Sequence, residues 1–210
     1  MTNLDRGSGP AAEGVTLAPA LLRDDPAGLA ARAALSAAAW DELLPEAVEQ
    51  GVAPLLYHRL RTSAQLDALA PATAFALQEV HDETWALHIL RCAALERILA
   101  ALAGQGIVPL LLKGAGLALT AYEHPAHRPM ADIDLLVAPG DFRPALQALV
   151  ALGWRVVEDE QFRGAYEVVS HHAALVNPAE PVTLLELHHR WLSLPLRQMQ
   201  PVRFGELRAR

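Results

Sequence analysis

Cysteine and aromatic residues are scarce in this chain of 210 residues. Its one cysteine, Cys92, excludes an internal disulfide, because a disulfide needs two thiols, and this fits a reducing compartment. Aromatic residues make up 5% of the chain and charged residues 20%, whereas hydrophobic residues reach 52%, which is enough for a buried core. We therefore predict a folded globular protein and interpret Cys92 as a small buried hydrophobe.

Long apolar runs are also absent. No uninterrupted apolar stretch approaches the roughly 18 residues that a membrane span requires. Residues 1–15 contain acids, glycines and a proline but no apolar core of signal-peptide length. On this basis we expect a cytoplasmic protein that does not associate with membranes.

Basic residues are fewer than acidic ones, 17 against 24, which gives a formal net charge of −7. Such a balance repels a phosphate backbone unless a local basic patch reverses the field. The charge therefore disfavours broad nucleic-acid binding, and we expect a small molecule or a protein as partner rather than nucleic acid. Oligomeric state cannot be read from these numbers.

The composition and hydrophobic pattern of the sequence divide the chain into four segments. We predict a disordered tail over residues 1–19, a helical region over 20–104, an α/β core over 105–196 and a C-terminal tail over 197–210. The helical region is rich in Ala, Leu, Glu and Arg, and prolines divide it into four or five helices. The longest should span residues 72–103.

Short apolar runs bounded by Pro, Gly and polar residues follow residue 106 and are typical of strands. The predicted strands are 107–112, 133–137, 154–158, 166–176 and 182–188. One helix over 141–152 should cross the sheet, and a short one over 117–122 should follow the first strand. The predicted fold class is α+β: a helical N-terminal region followed by a small mixed β-sheet with covering helices.

Two aspartates, Asp132 and Asp134, alternate with apolar residues at the start of the second predicted strand. Because strand side chains alternate between faces, both carboxylates point the same way while Ile133 and Leu135 face the core. Like charges held so close are unfavourable without a cation, and Mg²⁺ prefers carboxylate oxygens as ligands. The pattern indicates a metal site, with a solvated strand end as the alternative.

Glu186 is a charged residue inside an apolar strand. A buried, unpaired carboxylate is costly, so this side chain should have a cationic partner. A metal ion shared with the two aspartates is one such partner, and an ion pair with an arginine is the other.

Lys113 is the only lysine of the chain and is followed by a glycine turn, Gly114-Ala115-Gly116. Backbone amides at the start of a helix bind phosphate oxygens, and glycine allows close approach. We expect Lys113, Gly114 and Ala115 to bind a phosphate-bearing cofactor. Arg128, in the loop before the aspartates, would either bind a triphosphate or neutralise the carboxylates.

Two His-His pairs, His171-His172 and His188-His189, support a rival interpretation. Together with Glu186 they could build a transition-metal site for hydrolysis. Within a strand only one histidine of each pair faces Glu186. His188, two residues further on, shares its face and is therefore a possible accessory residue of the site.

This order of elements resembles the polymerase-β-like nucleotidyltransferase superfamily. More narrowly, the segments LLLKGAGLALTAYEHPAHRPMADIDLLV and LELHHRW are similar to those of the bacterial family of uncharacterised nucleotidyltransferases, over residues 107–191. The resemblance implies that the carboxylates bind Mg²⁺ (or Mn²⁺), and that the glycine turn contacts the phosphates of a nucleoside triphosphate. It assigns the cations to Asp132, Asp134 and Glu186, with Glu186 helping to activate the acceptor.

The implied reaction is the transfer of a nucleoside monophosphate from the triphosphate to an acceptor hydroxyl, with release of pyrophosphate. Lys113 and Arg128 would offset the developing charge. Relatives usually have Gly-Ser or Gly-Gly at the turn, where this chain has Gly114-Ala115. They also continue well beyond the third carboxylate, so the resemblance implies that the C-terminal tail over 197–210 is truncated. A non-catalytic nucleotide- or partner-binding module on the same fold is therefore the alternative, and the sequence identifies neither acceptor nor base.

Overall fold

The computed structural model of the protein describes residues 19–157, 172–180 and 183–190. The chain divides into two compact units between His81 and Asp82. The predicted α+β fold class is confirmed, because helices form the N-terminal region and a mixed five-stranded sheet follows. The segments predicted as tails lie outside the described residues, apart from Pro19, and so does the first part of the strand predicted over 166–176.

The first unit is helical. Its helices are α1 (Pro26–Ala33), α2 (Ala37–Glu49), α3 (Ala53–Thr62) and the beginning of α4 (Pro71–Ala103). Asp25 and Ser36 cap α1 and α2, because each side chain accepts a hydrogen bond from a backbone N–H of the first turn. The helices enclose a core that includes Trp40, Leu43, Leu56, Leu60 and Leu77.

Helix α4 runs from Pro71 to Ala103, close to the predicted 72–103. Gly106, with a φ of 73°, lies just beyond its end and turns the chain towards the sheet. Within the second unit the helix buries Ala94, Leu95, Ile98 and Leu102 at helical spacing. No helix among the described residues has the length and apolar character needed to cross a membrane.

The second unit contains a sheet in the order β1-β2-β5-β4-β3. The strands are β1 (Leu110–Leu111), β2 (Asp132–Leu136), β3 (Arg155–Val156), β4 (His172–Val176) and β5 (Leu184–His188). The central pair, β2 and β5, is parallel, and the other pairs are antiparallel. The fifth strand thus lies between the second and the fourth.

Alternation along the central strands separates an apolar face from a polar one. The apolar face is fully buried, and its side chains are Ile133, Leu135, Ala173, Leu175, Leu185 and Leu187. Helix α6 (Phe142–Ala151), within the predicted 141–152, buries Phe142, Ala145 and Leu149 in the same core. Gly153, with a φ of 97°, follows the end of α6. The opposite face of the central strands carries carboxylates and imidazoles.

The chain turns from β1 into a helix earlier than predicted. Strand β1 has two residues instead of the predicted 107–112, and helix α5 (Lys113–Thr120) begins four residues before the predicted 117–122. Lys113 has a φ of 45°, in the left-handed region, and the change from extended backbone at Leu112 to helix falls at this residue. Propensity predicts right-handed or extended backbone for lysine, and such a turn is therefore invisible in the sequence.

Candidate metal centre

Asp134 and Glu186 lie opposite each other on the parallel strands β2 and β5. Asp134 is 1% exposed, whereas the side chain of Glu186 is 18% exposed. Two carboxylates at this spacing repel each other unless positive charge compensates them. The strands therefore create a strongly anionic position that is open to solvent on the side of Glu186.

Lys113 supplies positive charge to both carboxylates. Its Nζ atom lies 2.5 Å from Asp134 Oδ1 and 3.2 Å from Glu186 Oε2. The residue before it, Leu112, donates its backbone N–H to the carbonyl oxygen of Asp134 at 2.9 Å, which fixes the turn against β2. The left-handed turn and this hydrogen bond together direct the ammonium group onto the carboxylate pair.

These contacts shift the pKa values of the charged groups. Burial alone would lower the pKa of Lys113, but the hydrogen bonds to Asp134 and Glu186 and their charges outweigh it and raise the pKa. Burial alone would raise the pKa of Glu186, but the hydrogen bond that Lys113 donates to it, and the charges of His172 and Lys113, hold the pKa below its ordinary value. At neutral pH the site thus contains a charged lysine and an ionised Glu186.

Two histidines border the carboxylates on the same face. His188 Nε2 lies 2.9 Å from Asp134 Oδ1 and 3.2 Å from Glu186 Oε2, and the His188 side chain is 3% exposed. His172 is its partner across β4 and β5, with ring centroids 5.0 Å apart and Nε2 at 3.7 Å from Glu186 Oε1. Burial lowers the pKa of His172, which favours a neutral imidazole.

The donor atoms fit a divalent cation. Single ligand atoms of Asp134, Glu186 and His188 all lie within 4.8 Å of one another. Asp134 Oδ2 is buried and has no hydrogen-bond partner among the described residues. A buried carboxylate oxygen without a partner is costly, and coordination to a cation would satisfy it. The residues present could therefore hold a metal ion at this position.

Asp132 lies on the same face but outside that compact group of three. It is half-buried at the first position of β2 and pairs in register with Leu184. Its charge acts on Arg91 of helix α4: burial lowers the pKa of this arginine, and Asp132 partly offsets the effect. The structure thus brings Asp134, Glu186, Lys113 and His188 together and holds Asp132 beside them.

Arg91 was missed by the sequence analysis. It is 9% exposed. It precedes Ala94 and Leu95, two buried residues of the same helix, by three and four positions. The helical spacing of Arg91 from these apolar residues could have identified it from the sequence, because a charged side chain on the buried face of a helix is unusual.

Gly114 and Ala115 occupy the buried first turn of α5. No side chain caps this end of the helix. A Cβ atom at position 114 would lie 3.1 Å from the Cβ of Met130, so packing also favours glycine there. Arg128 is half-buried and donates a long hydrogen bond of 3.4 Å to the carbonyl of Pro129. It forms no ion pair with a carboxylate among the described residues.

The fold and the site define a class: an α+β protein with an acidic centre, on a mixed sheet, whose side chains could hold a cation. A profile of the uncharacterised nucleotidyltransferase family matches residues 36–209, and the chain belongs to that family. This bears out the resemblance inferred from the sequence. No match was found among curated proteins.

Proposed function

We propose that this protein is a metal-dependent nucleotidyltransferase that transfers a nucleoside monophosphate from a nucleoside triphosphate to an acceptor hydroxyl. The observation that carries the proposal is the pairing of Asp134 with Glu186 across parallel strands, with Lys113 between them, in a chain of a nucleotidyltransferase family. Asp134 and Glu186 would hold the cation, Mg²⁺ or Mn²⁺, and Asp132 would join them. Bound there, the cation would stabilise negative charge on the phosphate oxygens.

The reaction forms a bond between the acceptor oxygen and the α-phosphorus and breaks the bond from that phosphorus to the bridging oxygen. Pyrophosphate leaves with the electron pair of the broken bond. Glu186 is the more exposed of the two carboxylates and is ionised, so it is the group that an acceptor hydroxyl can reach. It would accept the hydroxyl proton.

The triphosphate would be bound by positive groups and amides around this centre. Arg128 has no carboxylate partner among the described residues. This supports a role for its guanidinium in binding phosphate rather than in neutralising the aspartates. The uncapped first turn of α5 at Gly114 and Ala115 would offer backbone N–H groups to phosphate oxygens. Lys113 would offset the charge that develops at the α-phosphate.

A second candidate function follows from the histidines. His188 and His172 next to Glu186 also fit a metallohydrolase that activates water. The two functions differ in their products, because a hydrolase transfers the phosphoryl group to water and releases phosphate or a free nucleotide from a phosphoester. A non-catalytic module would bind the triphosphate and form neither product.

The test is a screen of each α-labelled nucleoside triphosphate with Mg²⁺ or Mn²⁺ against a cell extract and small hydroxyl compounds. The wild type should release pyrophosphate and label an acceptor. Asp134→Asn should lose this activity by at least about a thousandfold, because it removes a metal ligand while keeping the side-chain shape. Asp67→Asn, the same change at an exposed position, should retain it. Triphosphate binding without turnover would favour the module, and phosphoester hydrolysis would favour the hydrolase.

A further inference from the structure

We propose that the imidazole of His188 is a direct ligand of the cation held by Asp134 and Glu186, so that the site binds a first-row transition-metal ion such as Mn²⁺ in preference to Mg²⁺. This inference rests on the metal-binding part of the proposed function. It adds a nitrogen donor to a centre that the carboxylates alone would make an all-oxygen site.

The spacing of the donor atoms supports direct coordination. Donors bound at about 2.1 Å to one octahedral cation, at right angles, lie about 3 Å apart. His188 Nε2 is 2.9 Å from Asp134 Oδ1 and 3.2 Å from Glu186 Oε2. These are the separations expected of atoms that share one coordination sphere.

The position of His188 on the sheet makes it a rigid donor. It lies two residues after Glu186 on β5, and it pairs in register with Leu136 of β2 and His172 of β4. Strands on both sides therefore hold its backbone, and burial of its side chain restricts the ring. Donors on regular elements are positioned more accurately than donors on loops.

The donor set then determines which metal is preferred. Mg²⁺ favours oxygen ligands and keeps several waters, whereas imidazole is a good ligand for divalent transition metals. One imidazole with two carboxylates therefore shifts the preference towards Mn²⁺ and the ions beyond it in the first row. His172 is set back from the carboxylates, with its nearest nitrogen 3.7 Å from Glu186 Oε1, and is not required as a ligand.

Pulsed electron paramagnetic resonance of bound Mn²⁺ tests the assignment directly, because a coordinated imidazole gives a nitrogen coupling that carboxylates do not. The wild type should show ¹⁴N coupling, which changes to ¹⁵N coupling when histidine is labelled with ¹⁵N. His188→Gln should abolish the coupling. His189→Gln is the matched control and should retain the coupling. In the wild type the His189 ring packs on Phe142, away from the carboxylates, with ring centroids 4.5 Å apart. His172→Gln should also retain the coupling.

Calorimetric titration with Mn²⁺ and Mg²⁺ alone tests the preference. Glutamine places an amide oxygen near the position of Nε2, so the ratio of Mn²⁺ to Mg²⁺ affinity should fall by about tenfold or more in His188→Gln. Thermal unfolding followed by circular dichroism verifies that each variant is folded. If that variant does not fold, retention of the ¹⁵N coupling in His172→Gln and His189→Gln still supports His188.

The outcomes separate the two proposals. Mn²⁺ bound by the wild type without nitrogen coupling would overturn the role of His188 and leave the carboxylate site intact. Nitrogen coupling that survives in His188→Gln, or is lost in His172→Gln alone, would also overturn it. Failure of the wild type to bind either cation, with or without a nucleoside triphosphate, would overturn this inference and the proposed function together.

Discussion

Asp134 and Glu186 are direct neighbours on two parallel strands, although 52 positions separate them in the sequence. Neighbouring strands lie about 4.8 Å apart, so the sheet itself forces the two carboxylates together. The charge of Lys113 compensates the pair, through contacts to both acids. A divalent cation at the same place would have to share the carboxylates with this ammonium group or displace it.

Removal of the lysine charge should therefore strengthen cation binding. We expect Lys113→Met to bind Mn²⁺ about fivefold to tenfold more tightly, because the carboxylates lose a competing positive charge that solvent screens only in part. Lys113→Arg keeps the charge and should bind nearly as the wild type does. Calorimetric titration measures both affinities. Weaker cation binding by Lys113→Met would contradict competition and indicate that the ammonium group organises the site instead.

Arg128 should act on the nucleotide and leave the metal unaffected. Because its guanidinium has no carboxylate partner among the described residues, Arg128→Ala should leave Mn²⁺ affinity unchanged. The KM for the nucleoside triphosphate should rise about tenfold, as expected for the loss of one charge-assisted contact to phosphate. Steady-state kinetics with calorimetry separates the two effects. Arg155→Ala, at an exposed position of β3, is the control and should change neither quantity.

Local sequence was sufficient for part of this architecture. The alternation around Ile133 and Leu135 predicted which side of β2 is buried, and both residues are fully buried. The sequence also indicated the long helix, because its apolar spacing and the glycines after it are local signals. The insertion of β5 between β2 and β4 could not be read in this way, since strand order depends on pairing between distant segments.

The turn at Lys113 is a second feature that local sequence could not predict. Its left-handed backbone is disfavoured for lysine and persists only because the surrounding structure holds it. The hydrogen bond from Leu112 to Asp134 is such a restraint, and it depends on the pairing of β1 with β2. The sequence therefore indicated that Lys113 is unusual, while its contacts with the two carboxylates required the folded chain.

Gly116 should be essential for the close approach of α5 to β1. A Cβ atom there would lie 3.0 Å from the carbonyl oxygen of Leu111, which pairs with Leu135 and cannot move freely. Although alanine favours helix by up to about 1 kcal/mol, overpacking costs about 1–3 kcal/mol, so Gly116→Ala should lower the free energy of unfolding. Gly140→Ala has open space and should be neutral. Urea denaturation measures both, and equal stability of the two variants would contradict the packing argument.

His88 should make the stability of the protein depend on pH. The side chain is 4% exposed, its Nε2 lies 3.1 Å from Cys92 Sγ, and its Nδ1 has no hydrogen-bond partner among the described residues. Burial, followed by the charges of His124 and Arg91, lowers the pKa of His88 below 6.5. Because the unfolded chain keeps the ordinary pKa, it takes up the proton first as the pH falls.

The contribution of His88 to stability is therefore complete above pH 6.5 and declines as the pH falls from there towards the folded-state pKa. One proton gives a slope of at most about 1.4 kcal/mol per pH unit. Urea denaturation between pH 7 and pH 5 should show this decline in the wild type and a shallower one in His88→Gln. An NMR titration of the His88 ring provides the independent measurement: a pKa at or above 6.5 in the folded protein would show that its environment stabilises the charged form.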